Sequence, residues 1–391
     1  MLKNILIVNS VYFPDMGGSG ILAHNFAHKL SKLNYNVSVF SGGSKDSIDN
    51  DCGVKIYRND IRKVNSPLCK ENYNNESSES LFLEVIKKEK ISIVHFNSVQ
   101  GLGANLVELS LSLGLKTIVT MHDFWWVCPF LFLNDEYLNV RPIGNHSHFC
   151  TDSLSRKFLD ERSEYLKKII NNKNLFITTV SKTMKEALKS SGLNTNKEIT
   201  VIENGVDDLI FEDIRSSDNK KKYVFAYFGG ENSSKGFDLI FKAAKFLKFN
   251  SNDFMVKCFG INNPDIKKII NWKILGSSNI KLYKRYQYID IQNLMNDVDC
   301  VLVPSQVFES YSLIAREALE CGKIVISSNM GALSEIESPR HITFSKTSSV
   351  DLAKKMYLVL KNHKNILSKK NKFKTLKLSE QIKHYIKLYE S

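Results

Sequence analysis

The stretch "DCVLVPSQVFESYSLIAREALECGKIVISSN", Asp299 to Asn329, decides the fold. It begins with "DCVLVPS", an apolar run without polar alternation, as in a strand buried on both faces of a parallel sheet. "SLIAREALECG" then carries helical spacing and stops at Gly322, and "KIVISSN" is a second buried strand. Strand, helix, strand is the repeating unit of a doubly wound α/β layer. Glu309 falls at the carboxyl end of the first strand, and Glu317 lies inside the helix, with seven residues between them. Ligands of such sheets bind at the carboxyl ends of strands. The spacing is not that of a metal set or an acid–base dyad. Acceptor oxygens there suit the hydroxyls of sugar and ribose, at about 1.5–3 kcal/mol per charged hydrogen bond. The plain alternative leaves Arg316 and Glu317 as ordinary solvated helix residues. Ser310 or Ser312 is expected to cap the helix.

The same rhythm runs through the chain. Buried strands are predicted from Asn4, Asn36, Ile91, Lys116, Leu175 and Glu198, and again from Tyr223, Phe254, Asn279, Asp299 and Lys323. The polar stretch from Asp207 to Lys222 separates the two series and reads as a linker. At 391 residues the chain exceeds the size of a single core. Two doubly wound, Rossmann-like domains are therefore expected, with a central cleft between facing strand ends. Their expected ranges are 1–205 and 206–375, followed by an amphipathic helix at about 376–391. Gly43 to Ser80 reads as a long polar loop in which only "GVKIYR", from Gly53, is strand-like.

Composition narrows the function classes. Hydrophobic content of 43% and charged content of 24% are those of a soluble globular protein. No apolar run approaches the ~20 residues of a membrane span. The opening "MLKNILIVNSVYF" reads as a first strand, so a cytoplasmic protein is expected. The net charge of +13 comes without a nucleic-acid-binding module, so nucleic acid is not an expected partner. Attraction to anionic substrates or an anionic membrane surface fits better, beside lysines merely spread over solvated faces. The seven cysteines suggest thiols, not a disulfide framework.

Further motifs fall at strand ends. After the first strand, Gly17, Gly18 and Gly20 precede a helix, where backbone amides can approach a phosphate or sugar; a tight turn alone is the other reading. "TMHDFWWVCP" puts His122 and Asp123 at the end of the fourth strand, with Trp125 and Trp126 offered as a platform for a sugar ring or isoprenoid chain. The alternative is a satisfied core histidine with packing tryptophans. Cys128 with His146, His148 and Cys150 has the donors for zinc but not a usual spacing, and an ordered loop is favoured. "YFGGENSSKGFDLI" places Gly230 and Lys235 ahead of a helix, an anion site without Walker spacing.

Taken in order, these segments resemble the retaining glycosyltransferases of family 4, whose Glu-x7-Glu signature matches Glu309 to Glu317. Accompanying it are "GGSG", "HDFWWVCP", "VIENGVDDLIF" and "GGENSSKGFDLI", so the likeness spans nearly the whole chain. The "HDFWWVCP" stretch is similar to enzymes that build bacterial polysaccharide and lipid-linked glycans. The resemblance implies the two-domain GT-B fold, with the C-terminal helix crossing back to the first domain.

It also implies site roles. Glu317 would bond ribose hydroxyls and Glu309 a hydroxyl of the donor sugar. The amides of Ser310, Tyr311, Ser312 and Leu313 would hold the diphosphate, and Lys235 would neutralise the leaving phosphate. His122 would bond the donor sugar, while Gly17 and Gly18 would line its phosphate and the acceptor's approach. Asp123, Trp125 and Trp126 would stand on the acceptor side. The implied substrates are a UDP- or GDP-sugar and a glycan or lipid-linked acceptor, met at the inner membrane face, with neither cofactor nor metal required. Two departures stand out. "GGEN", with Gly230 and Glu231, replaces the usual Gly-Arg-Leu, and Ile324 stands where the family has proline. A non-catalytic nucleotide-sugar scaffold and a sugar-nucleotide epimerase are the alternatives.

Overall fold

The computed structural model describes residues 3–14, 17–62, 64, 66–133, 153–193, 195–207, 222–248, 253–262, 279–371 and 373–391. The chain divides into two units, Met1–Asp207 with Leu376–Ser391, and Asp208–Thr375.

Unit 1 is built on β1 (Asn4–Asn9), β2 (Asn36–Gly43), β3 (Ser47–Asp51), β4 (Val54–Asp60), β5 (Ile93–Phe96), β6 (Lys116–Met121), β7 (Leu175–Thr179) and β8 (Ile199–Val201). They form one sheet in the order β3-β4-β2-β1-β5-β6-β7-β8. All pairings are parallel except β3 with β4. Ile5, Leu6, Ile7 and Val8 are all fully buried, which is why β1 shows no polar alternation. Helices α1 (Gly18–Lys32), α2 (Glu79–Lys88), α3 (Asn105–Ser112), α4 (Ser153–Ile170) and α5 (Lys182–Ser190) connect the strands. The strand order reverses at β1 and β5, the switch point where such sheets take ligands.

Unit 2 has β9 (Tyr223–Tyr227), β10 (Phe254–Ile261), β11 (Ile280–Lys284), β12 (Cys300–Val303), β13 (Ile324–Ser328) and β14 (His341–Phe344). Their order is β11-β10-β9-β12-β13-β14, all parallel, with the switch between β9 and β12. Helices α6 (Phe237–Lys248), α7 (Ile291–Asn296), α8 (Leu313–Glu320) and α9 (Ser349–Ser368) are the described helices of this unit. Two apolar clusters fill it, one including Ile240, Phe254 and Met356, the other Ala315, Leu319 and Met295.

The last helix, α10 (Leu378–Glu390), belongs to unit 1. Its Leu378, Ile382, Tyr385 and Tyr389 join the cluster of Ile5, Ile7, Phe26 and Leu30. Backbone bonds from Val206 N to Leu376 O and from Leu378 N to Val206 O tie the returning chain at its start.

One expectation is corrected here. Gly43 to Ser80 is not one loop: β3 and β4 form an antiparallel edge hairpin, followed by short turns and the start of α2. Short β14, at the other sheet's edge, was not foreseen. Most of the linker stretch lies outside the described residues. Among the described residues no helix is long and apolar enough to cross a membrane.

Candidate active site

In unit 2 the loops leaving β9 and β12 meet at the switch point. After β9 the chain passes Gly229 and Gly230 into a single turn, Ser233–Lys235, whose Asn232 side chain accepts from Ser234 N. Gly236 closes it at φ +79°, and a Cβ there would lie 1.9 Å from the Pro304 carbonyl oxygen. Only glycine lets this turn lie so close to the β12 loop. Gln306 fastens the contact, its amide donating to Ser234 O at 2.8 Å and its side chain to Ser233 O at 2.7 Å. The result is one short ion pair: Lys235 Nζ donates to Glu309 Oε1 at 2.6 Å. Glu309 is buried, and Ser305 Oγ donates to the same oxygen. Gly331, following β13, brackets Glu309 from the other side, and Ala332 N donates to Glu309 O at 2.7 Å.

Beyond Glu309 the chain turns sharply. Ser312 has φ +62° and ψ +81° and makes no side-chain cap bond, so it does not cap the helix in the way expected. Arg316 and Glu317 are 4% and 1% exposed, which removes the reading of a solvated helix face. The Arg316 guanidinium lies 4.1 Å from the Tyr311 ring centre, a cation–π contact. Glu317 Oε1 accepts from the Tyr288 hydroxyl at 2.5 Å. Burial pushes its carboxyl up to about 7, against the lowering effect of that bond. A carboxylate held in this way is costly to ionise without a ligand.

Gly230 accounts for one departure from the family pattern. It has φ +68°, and a Cβ on it would lie 3.1 Å from Gly260 O. An arginine on this backbone would be strained and crowded.

In unit 1, Gly17 is the residue before α1, with an ordinary φ of −91°. A Cβ on Gly17 or Gly18 would meet nothing within 4 Å. The fold itself does not require glycine at either place, so a tight turn does not explain them. His122 follows β6, and its Nε2 lies 3.2 Å from Asn97 Oδ1, at the end of β5. Burial pulls its imidazole down to about 4, so it is neutral near pH 7. The recess beside it is lined by Asn97 and Asn204 and by Gln381 and Tyr385 of α10.

Asp123 Oδ1 accepts from Trp125 N at 2.8 Å. Burial pushes Asp123 up to about 6, while the Trp125 amide and Arg162 act to lower it. Trp125 and Trp126 are 3% and 7% exposed, packed edge to face. Arg162 of α4 stacks on the Trp125 ring at 4.7 Å and donates to its carbonyl, and the indole N–H bonds Asn72. Both rings are thus buried in this structure, with Trp125 held between Arg162 and Trp126. Cys128 is also buried, whereas His146, His148 and Cys150 lie outside the described residues.

Ser305, Tyr288, Asn97 and Arg162 went unread in the sequence. Each acts through a contact made only in the fold; the Lys235–Glu309 pair itself spans 74 residues.

The family profile described as Glycosyltransferase Family 4 matches residues 16–208, and that described as Glycosyl transferases group 1 matches residues 210–375. The chain belongs to glycosyltransferase family 4. An uncharacterised 42.6 kDa protein in the cps region of Klebsiella pneumoniae is 25% identical over 356 residues, covering 85% of this chain and 87% of that protein. The fold is shared with sucrose-phosphate synthase of Thermosynechococcus elongatus, at TM-score 0.70 and 15% identity, covering 99% and 98% of the two chains. Anabaena HepE, solved in complex with UDP and glucose, aligns over 100% of both chains at TM-score 0.69 and 14% identity. The glycosyltransferase described here therefore has the GT-B fold.

Proposed function

We propose that this glycosyltransferase moves a hexose from a nucleoside-diphosphate sugar to a glycan or lipid-linked acceptor, with retention of anomeric configuration. The observation that carries the reading is the Lys235–Glu309 pair, placed at the switch point between β9 and β12. A cation and an acceptor oxygen 2.6 Å apart are the two groups a sugar diphosphate would separate. Lys235 would turn to the β-phosphate, and Glu309 would accept from a sugar hydroxyl. Glu317 would bond the ribose hydroxyls, with the amides from Ser310 to Leu313 on the diphosphate. That HepE was solved with UDP and glucose supports a donor of this class.

In the transfer, the acceptor oxygen bonds the anomeric carbon as the bond from that carbon to the phosphate oxygen breaks. The acceptor's proton passes to the leaving phosphate on the same face of the sugar. Lys235 offsets the charge that develops there. His122, neutral through burial, would hold a donor-sugar hydroxyl as a hydrogen-bonding group rather than as a cation. Asp123 positions the turn at Trp125. The net charge of +13 supports peripheral attraction to an anionic membrane.

The test is a thermal-shift screen of UDP- and GDP-sugars, followed by transfer to glycan and lipid-linked acceptors with the product anomer read by NMR. Glu317→Ala and Lys235→Ala should each lower transfer by at least about 100-fold. An inverted product would refute retention. Unchanged transfer in both variants, or no nucleotide-sugar binding, would sink the site assignment. Donor turnover without any acceptor would favour an epimerase.

A further inference from the structure

His24 and His28 stand one turn apart on α1, and the proposed transfer chemistry uses neither. We propose that these two histidines and Asp51 form a binding site for one divalent transition-metal ion of the zinc type. The His24 and His28 Nε2 atoms lie 2.9 and 2.8 Å from the same oxygen, Asp51 Oδ2. All three ligand atoms fall within 4.8 Å of one another. The helix supplies the convergence, since side chains four residues apart share a face. The carboxylate comes from edge strand β3, whose last residue is Asp51.

The dimensions suit an ion. Zinc bonds of about 2.0–2.2 Å to imidazole nitrogen and carboxylate oxygen put tetrahedral ligand atoms about 3.3 Å apart. The two N···O separations need to open by only about half an ångström. Each ring approaches the carboxylate through Nε2, and an ion there would take each imidazole as the neutral tautomer with its proton on Nδ1. The side chains are 25%, 17% and 16% exposed, so the trio is shielded yet open to an arriving ion and to a water in the fourth position. The Tyr12 and Phe13 rings lie 5.8 and 5.7 Å from His24, covering one side. Two imidazoles and a carboxylate select zinc, copper or nickel over magnesium and calcium.

The ion would be a brace and not a catalytic group. It would fasten α1, which begins at Gly18, to the β3–β4 hairpin. That hairpin already grips the preceding loop: Arg58 of β4 donates to the Phe13 carbonyl and to Asp49 of β3. Bound metal would thereby brace α1 and the hairpin against each other beside Phe13. None of this depends on transfer activity.

The full chain, stripped with a chelator, is titrated with Zn²⁺ by calorimetry and with Co²⁺ by absorption. Expected are one bound equivalent and cobalt d–d bands of a four-coordinate nitrogen and oxygen site, without a thiolate charge-transfer band. Zinc at a hundredfold excess over Kd should raise the Tm by about 5–10 °C. The double variant His24→Ala/His28→Ala should bind at least about 100-fold more weakly, and Asp51→Asn at least about tenfold. Should the double variant fail to fold, His28→Gln and the cobalt spectrum of the unsubstituted chain decide. The proposal is overturned if no equivalent binds, if the histidine variants bind equally well, or if a thiolate band places the ion on cysteines such as Cys128 and Cys150.

Discussion

Glu317 carries opposing demands. Its burial raises the carboxyl from an ordinary 4.5 to about 7, with Tyr288 pulling the other way. Below pH 4.5 both folded and unfolded chains hold the proton, so no penalty exists. Between 4.5 and 7 the unfolded chain releases its proton first, and stability falls as pH rises through that window. The loss, complete just above pH 7, is on the order of 3 kcal/mol at 1.36 kcal/mol per unit. Glu317→Gln keeps an acceptor for Tyr288 without a charge. Urea melts should show it more stable than the parent at pH 8 by that order and equally stable at pH 4; equal curves at pH 8 would refute the buried charge. Catalysis should show the reverse preference. If ionised Glu317 binds ribose, kcat/KM of the parent falls below pH 7 with a single-proton slope, and this limb is absent in Glu317→Gln. His122 should add no limb above pH 5, because burial holds its imidazole at about 4. A second limb near 6 that disappears in His122→Gln would contradict that assignment.

Among elements, the turns matter more than the helices they precede. Gly236→Ala would combine a left-handed φ of +79° with a Cβ 1.9 Å from Pro304 O. The turn must then withdraw from the β12 loop, breaking the Gln306 bonds and moving Lys235 away from Glu309. A destabilisation of about 1–3 kcal/mol is expected, with transfer lowered more than that stability loss explains. Gly17→Ala meets nothing within 4 Å, so it should leave the melting curve unchanged and lower transfer only. A drop in Tm for Gly17→Ala would return that glycine to a structural role. These contrasts show what was legible in the sequence. Buried parallel strands announce themselves by unbroken apolar runs, and Glu309, Lys235 and His122 follow from their places at strand ends. Edge strand β3, "SIDND", is invisible to that signal because it has one apolar residue and is held by pairing and by Arg58–Asp49. His24 and His28 are visible as a helical pair, but Asp51 reaches them only through the hairpin. "FWW" reads as platform or packing, and the contact of Trp125 with Arg162, 37 residues away, is made only in the fold.

At the scale of the whole molecule, the chain returns to pack α10 into the apolar cluster of unit 1. Ile382 is fully buried in the unit 1 cluster, and the polar groups of α10 are matched as closely as its apolar ones. Gln381 Oε1 accepts from Gly205 N at 2.9 Å, the Tyr385 hydroxyl lies 3.0 Å from Thr120 Oγ1, and the Tyr389 hydroxyl lies 2.7 Å from His95 Nδ1. His95 is wholly enclosed and, through burial, held down to about 3, so it stays neutral. Tyr389→Phe would leave its Nδ1 unpaired, at a cost of about 1–3 kcal/mol. Ile382→Ala removes apolar volume from a filled core and should cost about 2–4 kcal/mol. Exposed Lys383, the next residue, is the control: Lys383→Ala should change stability by no more than about 0.5 kcal/mol. Urea denaturation followed by tryptophan fluorescence reads all three, since Trp125 and Trp126 are buried in the same unit. Because Gln381 and Tyr385 line the recess at His122, Ile382→Ala should also lower transfer at temperatures where the protein remains folded. Equal, small effects for Ile382→Ala and Lys383→Ala would mean that α10 is not docked on unit 1.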